Sequence, residues 1–257
     1  MDKTVLLDVA DGVATITLNR ADNGNALNMQ MGRNLLDAAL ACEFDPKVRA
    51  VVVTGAGKHF GFGGDLRGMA EQGGAVGGYL NELTTYIHAA LSAFTRMRAP
   101  VIAAVNGTAA GGSVGLVCMA DLAIAGRGSK FSLAYTGIGM APDCGTSFLL
   151  PRIVGRRRAL ELLLTNRVLT ADEALDWGLV NQVVEDGEVL AQAHALAARL
   201  AAGPTDSYGA VKRLIGSSDP GFEAQMAAEG RAISAQSLHP NGIEGVRAFL
   251  EKRKPKY

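Results

Sequence analysis

Two glycine-rich stretches and one carboxylate carry the chemistry that this sequence can do. The first stretch, GAGKHFGFGGDL (Gly55–Leu66), follows the apolar run Val51–Thr54. The second, NGTAAGGSVGLVCMAD (Asn106–Asp121), follows Val101–Val105, and a helix is expected to begin near Gly112. Glycine lets a backbone approach a ligand closely and adopt positive φ. N–H groups at a helix start favour negative charge. The carboxylate is Asp143, in MAPDCGTSFLLPR (Met140–Arg152), where it either caps a helix over Gly145–Leu150 or moves a proton. The adjacent Met140, Ala141, Phe148 and Leu149 predict apolar surroundings.

Three readings of the glycine stretches compete. A dinucleotide fingerprint needs G-x-G-x-x-G, and GAGKHF puts Phe60 at the third glycine. Gly111-Gly112-Ser113-Val114-Gly115 fits the G-x-S-x-G elbow of a serine hydrolase, with Asp143 and His239 following in order, but Thr108-Ala109-Ala110 separates it from its strand. In the third reading, one N–H from each stretch holds a single oxyanion.

These stretches need elements to position them. VATITLN (Val13–Asn19) alternates as a half-buried strand does, whereas Arg49–Gly55, Pro100–Gly107 and Asp121–Gly126 are continuous apolar runs of strands buried on both faces. Helical patterns over Met29–Glu43 and Tyr79–Met97 lie between them. This wiring predicts an α/β fold with a largely parallel sheet. Thr170 and Glu173 form a capping-box pattern ended by Gly178, and LVNQVVE reads as a short strand. From Glu188 the chain is expected to be helical, with breaks at Gly203-Pro204, Asp219-Pro220 and His239-Pro240. Residues 1–200 are expected to form the core that carries the site, and residues 201–257 a helical region.

Composition narrows the function classes. The 257 residues are 48% hydrophobic and 19% charged, with 25 basic and 25 acidic side chains. This balance supports a sizeable core and gives no electrostatic footprint for a nucleic-acid partner. The start, MDKTVLLDVADG, shows no apolar signal region, and the apolar run near VGLVCMA is too short to span a bilayer. A cytoplasmic location without membrane contact is expected. Cys42, Cys118 and Cys144 are far apart, and the four histidines show no metal-ligand spacing, so no disulfide framework and no metal site are expected.

From end to end the chain resembles the crotonase family, the enoyl-CoA hydratase/isomerase superfamily. The matching pieces are LNRADNGNALN, VVVTGAGKHFGFGGDL, PVIAAVNGTAAGGSVGLVCMADLAIAG, FSLAYTGIGMAPDCGTSFLLPRIVGRRRALELLLT, LTADEALDWGLVNQVV and EGVRAFLEKRKPKY. The resemblance implies a spiral of ββα units with a C-terminal helical trimerisation region, hence a homotrimer or a dimer of trimers. It implies an acyl-CoA substrate, with coenzyme A as part of the substrate and no separate cofactor. The oxyanion donors carry over to Gly64 and Gly112. Acyl-CoA contacts carry over to Ala26, Phe62, Asp65, Leu66, Gly111 and Tyr135. The two glutamates of family hydratases fall on Gly115 and Tyr135, so ordinary hydration lacks its acid and base. PDCG resembles the PDSGG or PDCGG stretch of the phenylacetate-pathway isomerase branch, whose aspartate falls on Asp143. Thr146 stands where that branch has a second glycine. The implied activity is a 3-enoyl-CoA to 2-enoyl-CoA isomerase. Epoxy-phenylacetyl-CoA isomerisation, hydration and non-catalytic acyl-CoA binding are the alternatives.

Overall fold

A computed structural model describes residues 3–216 and 221–257. The expected break at Asp219-Pro220 lies outside the described residues. The elements run β1 (Val5–Ala10), β2 (Val13–Leu18), α1 (Met29–Phe44), β3 (Ala50–Gly55), β4 (His59–Gly61), α2 (Leu66–Ala70) and α3 (Val76–Arg96). Then come β5 (Val101–Val105), β6 (Thr108–Ala110), α4 (Gly112–Met119), β7 (Leu122–Gly126), β8 (Lys130–Ser132), α5 (Thr146–Val154) and α6 (Arg156–Thr165). They are followed by β9 (Leu169–Thr170), α7 (Ala171–Asp176), β10 (Gln182–Val184), α8 (Val189–Ala201), α9 (Thr205–Gly216), α10 (Phe222–Leu238) and α11 (Pro240–Leu250).

Two sheets share these strands. One has the order β1-β2-β3-β5-β7-β10, parallel except for the β1–β2 pair. The other has the order β4-β6-β8-β9. Three times in succession, a strand of the first sheet (β3, β5, β7) is followed by one of the second (β4, β6, β8) and then by helix. This repeat is the ββα spiral, an α/β fold. The three-residue strands β4 and β6 lie inside what the sequence presents as loops. Thr108-Ala109-Ala110 is β6, and such a strand is too short to show an alternating pattern.

The apolar runs work on both faces because successive side chains point opposite ways. Val51, Val53, Val101, Ala103 and Val105 join the core shared with α1 and α3. Ala50, Val52, Ile102 and Ala104 join a second core covered by Val189, Ala193 and Ala197 of α8. The sheet is therefore sandwiched, and the carboxyl ends of β3 and β5 open into β4 and β6, where the glycine stretches lie.

The capping box at α7 is formed: Thr170 Oγ1 accepts from the Glu173 N–H, and the Glu173 carboxylate accepts from the Thr170 N–H. The helix expected over Gly145–Leu150 runs instead from Thr146 to Val154, through Pro151. Burial of Leu150 and Val154 holds the turn that proline would otherwise end. Among the described residues, no helix is long and apolar enough to cross a membrane, and no cluster of three or more His, Cys, Asp or Glu could hold a metal ion.

Candidate functional site

The two glycine stretches meet backbone to backbone. A Cβ added to Gly63, whose φ is +76°, would sit 2.8 Å from the Ala110 carbonyl oxygen and 2.9 Å from the Gly112 nitrogen. Only glycine permits that approach. The contact is pinned from both sides. The Gly63 N–H donates to Ser113 Oγ at 3.0 Å, and the Gly111 N–H donates to the Ser132 carbonyl at 2.8 Å. Leu27 braces the first stretch, donating to the Gly63 carbonyl at 2.6 Å and accepting from the Asp65 N–H at 3.0 Å. The N–H groups of Gly64 and Gly112 donate to no protein acceptor among the described residues. Both glycines line one apolar cavity of about 400 Å³.

Ser113 is fully buried and its hydroxyl is committed to Gly63. Asp143 faces His88, whereas His239 caps α11 beside Asp206. The serine-hydrolase arrangement is therefore absent.

The same cavity is walled by Leu80, Leu83, Thr84 and Ile87 of α3, and by Leu66 and Met69 of α2. Phe62, Gly111, Tyr135 and Asp143 complete the side that the sequence reading assigned. Phe148, expected beside Asp143, instead points outward under the Arg152 guanidinium, 3.6 Å from its ring centre. Asp65 and Ala26 lie outside this cavity. Asp65 lines a separate polar cavity of about 560 Å³ with Arg67 and Tyr79. Its carboxylate caps α2 through the Gly68 N–H and pairs with Arg20 at 3.0 Å. Burial works against the charge, but the Gly68 bond and Arg20 outweigh it and hold the Asp65 carboxyl below its usual range. The Ala26 carbonyl accepts from the same Arg20 at 2.5 Å.

Asp143 does not cap a helix with its side chain. Gly145, at φ +73°, holds the N-cap position of α5 with no side-chain cap bond. The Asp143 carboxylate turns the other way and meets His88 of α3, Oδ1 to Nε2, at 2.7 Å. The carboxylate is partly exposed, at 36%. Its backbone follows an uncommon course: Cys144 and Gly145 are successive left-handed residues, at φ +52° and +73°. Cys144 is buried against the Gly112 backbone, and burial followed by the Asp143 charge pushes its thiol up, so it stays protonated. Burial pushes the Tyr135 phenol up as well, which keeps it a donor.

His88 is the residue that sequence reasoning missed. It lies 55 positions from Asp143. A signal existed, because Leu80, Thr84 and His88 share one stripe of α3 at helical spacing. At Gly115, a Cβ would run into the Cys144 carbonyl oxygen. No side chain, and hence no second carboxylate, fits there while the Asp143–Gly145 segment keeps this path. The arrangement offers one carboxylate and two free backbone donors around an apolar cavity.

Known proteins share this construction along the whole chain. The sequence pattern of the enoyl-CoA hydratase/isomerase family matches residues 8–257. The 4-chlorobenzoyl coenzyme A dehalogenase-2 of Arthrobacter sp is 38% identical over 257 residues, covering 98% of this chain and 92% of that protein. The 1,2-epoxyphenylacetyl-CoA isomerase of Escherichia coli (strain K12) is 35% identical over 259 residues, covering 100% and 99%. Among solved structures, an enoyl-CoA hydratase from Polaromonas sp. JS666 superposes with a TM-score of 0.94 at 31% identity, over 98% of this chain and 99% of that one. With paired glycine loops, alternating sheets and sequence all in agreement, the chain belongs to the enoyl-CoA hydratase/isomerase family, the crotonases.

Proposed function

We propose that the protein is an isomerase that converts a 3-enoyl-CoA to the 2-enoyl-CoA. The observation that carries this reading is the lone carboxylate. Asp143 reaches the apolar cavity that Gly64 and Gly112 line, and the space at Gly115 excludes a second acid. Hydration with a pair of carboxylates needs one to activate water and another to deliver a proton, whereas a double-bond shift needs a single carboxylate to do both. Asp143 removes a proton from C2, and the electrons pass to the thioester oxygen. The Gly64 and Gly112 N–H groups stabilise that oxyanion; a single preorganised donor of this kind contributes about 3–4 kcal/mol. Asp143 then returns the proton to C4, and the double bond moves from C3–C4 to C2–C3 with no net change in atoms or electrons. Coenzyme A enters as part of the substrate, and the step requires no redox group or metal.

The test is turnover of a 3-enoyl-CoA in heavy water by the wild type and by Asp143→Asn. We expect deuterium at C4 of the product in the fraction of turnovers in which the partly exposed Asp143 carboxyl exchanges its proton with solvent before returning it, and a loss of about 10²–10⁴ in kcat in the variant. Equal turnover by the two proteins overturns the assignment of Asp143.

One observation favours a second reading. The Asp143–His88 contact suits nucleophilic chemistry on an aryl-CoA, the substrate class named for the Arthrobacter relative. The carboxylate would displace chloride from the ring to leave an aryl ester. His88 would take a proton from the water that hydrolyses this ester and regenerates the carboxylate. Chloride release from 4-chlorobenzoyl-CoA selects this reading, and its absence removes it.

A homotrimer, alone or doubled, belongs to the same proposal. It is supported by the apolar residues that α10 and α11 leave exposed, among them Ile233, Leu238, Val246 and Phe249. Light scattering should give three or six chain masses, and a monomer would refute it.

A further inference from the structure

Thr146 is fully buried, yet it lines neither the apolar nor the polar cavity described above. Its two donors point at one atom. The Thr146 N–H donates to the Asp143 carbonyl oxygen at 3.1 Å, and the Thr146 hydroxyl donates to that oxygen at 2.8 Å. A third donor comes from a different element: the Tyr135 hydroxyl reaches the same oxygen at 3.2 Å. A carbonyl has two lone pairs, so three donors saturate it. On its other side, the Asp143 residue meets His88 through the carboxylate. The residue is thus held at both ends, by its carbonyl and by its Oδ1.

The anchoring meets a conformational need. Cys144 is a non-glycine residue at φ +52°, followed by Gly145 at +73°. A left-handed residue with a Cβ is strained, and surrounding structure must fix it. The segment is not fixed by a cap, because Gly145 offers no side chain. It is fixed by the donors on the Asp143 carbonyl and by Cys144 packing against Gly112 and Gly115. Ala134, next to Tyr135, is also left-handed, at φ +50°. Two strained backbones therefore face each other across the Tyr135–Asp143 bond.

We propose that Thr146 and Tyr135 are positioning residues, which aim the Asp143 carboxylate into the acyl cavity by clamping its backbone carbonyl. The inference rests on Asp143 being the group that acts on substrate. Thr146 and Tyr135 act through Asp143. Removing one donor leaves the carbonyl bonded but lets the peptide rotate, and the carboxylate then spends less time in line with the substrate carbon.

The experiment compares Thr146→Val, Thr146→Ser and Tyr135→Phe with the wild type and with Asp143→Asn. Valine keeps the volume and removes the hydroxyl. We expect kcat on 3-enoyl-CoA to fall about tenfold in Thr146→Val, the scale of one buried hydrogen bond, while KM changes less than about twofold. Thr146→Ser should recover most of that loss. The double variant Thr146→Val with Tyr135→Phe should depart from the product of the single effects, because the two donors share an acceptor. A readout independent of substrate is the His88 imidazole resonances, which in Thr146→Val should move toward their positions in Asp143→Asn. Wild-type kcat in Thr146→Val, or a fall in kcat that serine does not rescue, overturns the clamp. Unmoved His88 resonances in Thr146→Val overturn it too. If Asp143→Asn itself turns over normally while the His88 resonances of Thr146→Val do move, it is the catalytic reading of Asp143 that fails, and the clamp stands as a backbone feature.

Discussion

Gly63 sets the spacing of the unpaired Gly64 and Gly112 N–H groups although it supplies neither. Its missing Cβ lets the stretch after β4 lie against Ala110 and Gly112. Gly63→Ala would add an atom at 2.8–2.9 Å from that backbone, at a φ of +76°. The stretches must part, and the donors with them. On the proposed mechanism, in which the two N–H groups act on the transition state, we expect kcat to fall about 10- to 100-fold with a smaller change in KM. Steady-state kinetics on the folded variant checks this, and an unchanged kcat would separate Gly63 from the donors. The family resemblance singled out Asp143, Gly64 and Gly112, and all three line one cavity. His88 was not legible in the sequence, because only the packing of α3 brings it to Asp143. The cap reading of Asp143 failed for a physical reason: the following residues take left-handed φ, which carries the carboxylate away from the start of α5.

At the scale of elements, α3 supplies both a cavity wall and His88. Its sequence pattern is clear from Tyr79 onward, but the helix begins at Val76. Gly77 and Gly78 hide its first turn. Neither glycine is required by packing, since a Cβ on either would meet nothing within 4 Å. Gly77→Ala with Gly78→Ala should therefore stabilise the protein by about 1 kcal/mol in total, through helix propensity and a less flexible unfolded chain. Thermal denaturation should show a higher midpoint, and a lower one would mean that the start of α3 needs the freedom of glycine. The strands of the large sheet were legible as apolar runs. Those of the small sheet were not, because a two- or three-residue strand carries no period.

At the scale of the whole molecule, an ion pair between a buried lysine and a partly exposed aspartate ties the later helices to the sheet. Lys212 of α9 meets Asp121 at 2.7 Å and donates to the carbonyls of Phe94 and Ala99. Burial raises the Asp121 carboxyl above its usual value and lowers the Lys212 amine, each only partly offset by the partner. Lys212→Met would leave Asp121 without its cation but still open to water, at a cost of about 1 kcal/mol near neutral pH. For an acid whose folded-state pKa is raised, this penalty is present above the folded pKa and vanishes below the unfolded value of about 3.9, where Asp121 is protonated in both states. Urea midpoints of wild type and variant should thus differ more at pH 7 than at pH 4. A gap that widens in acid would contradict this account of the pair.

The close fit of Gly115 beneath Cys144 also bears on how such a site can evolve. A glutamate at position 115 collides with the Cys144 carbonyl while the Asp143 segment keeps its path, and reshaping that segment first would move the carboxylate that we propose as proton carrier. Neither single change leads to a working hydratase. A lineage moving between water addition and proton shuttling must alter both positions together, across an intermediate poorer than either end. Directed evolution by one substitution at a time should therefore stall here, and libraries that randomise positions 115, 135 and 143–146 jointly should not.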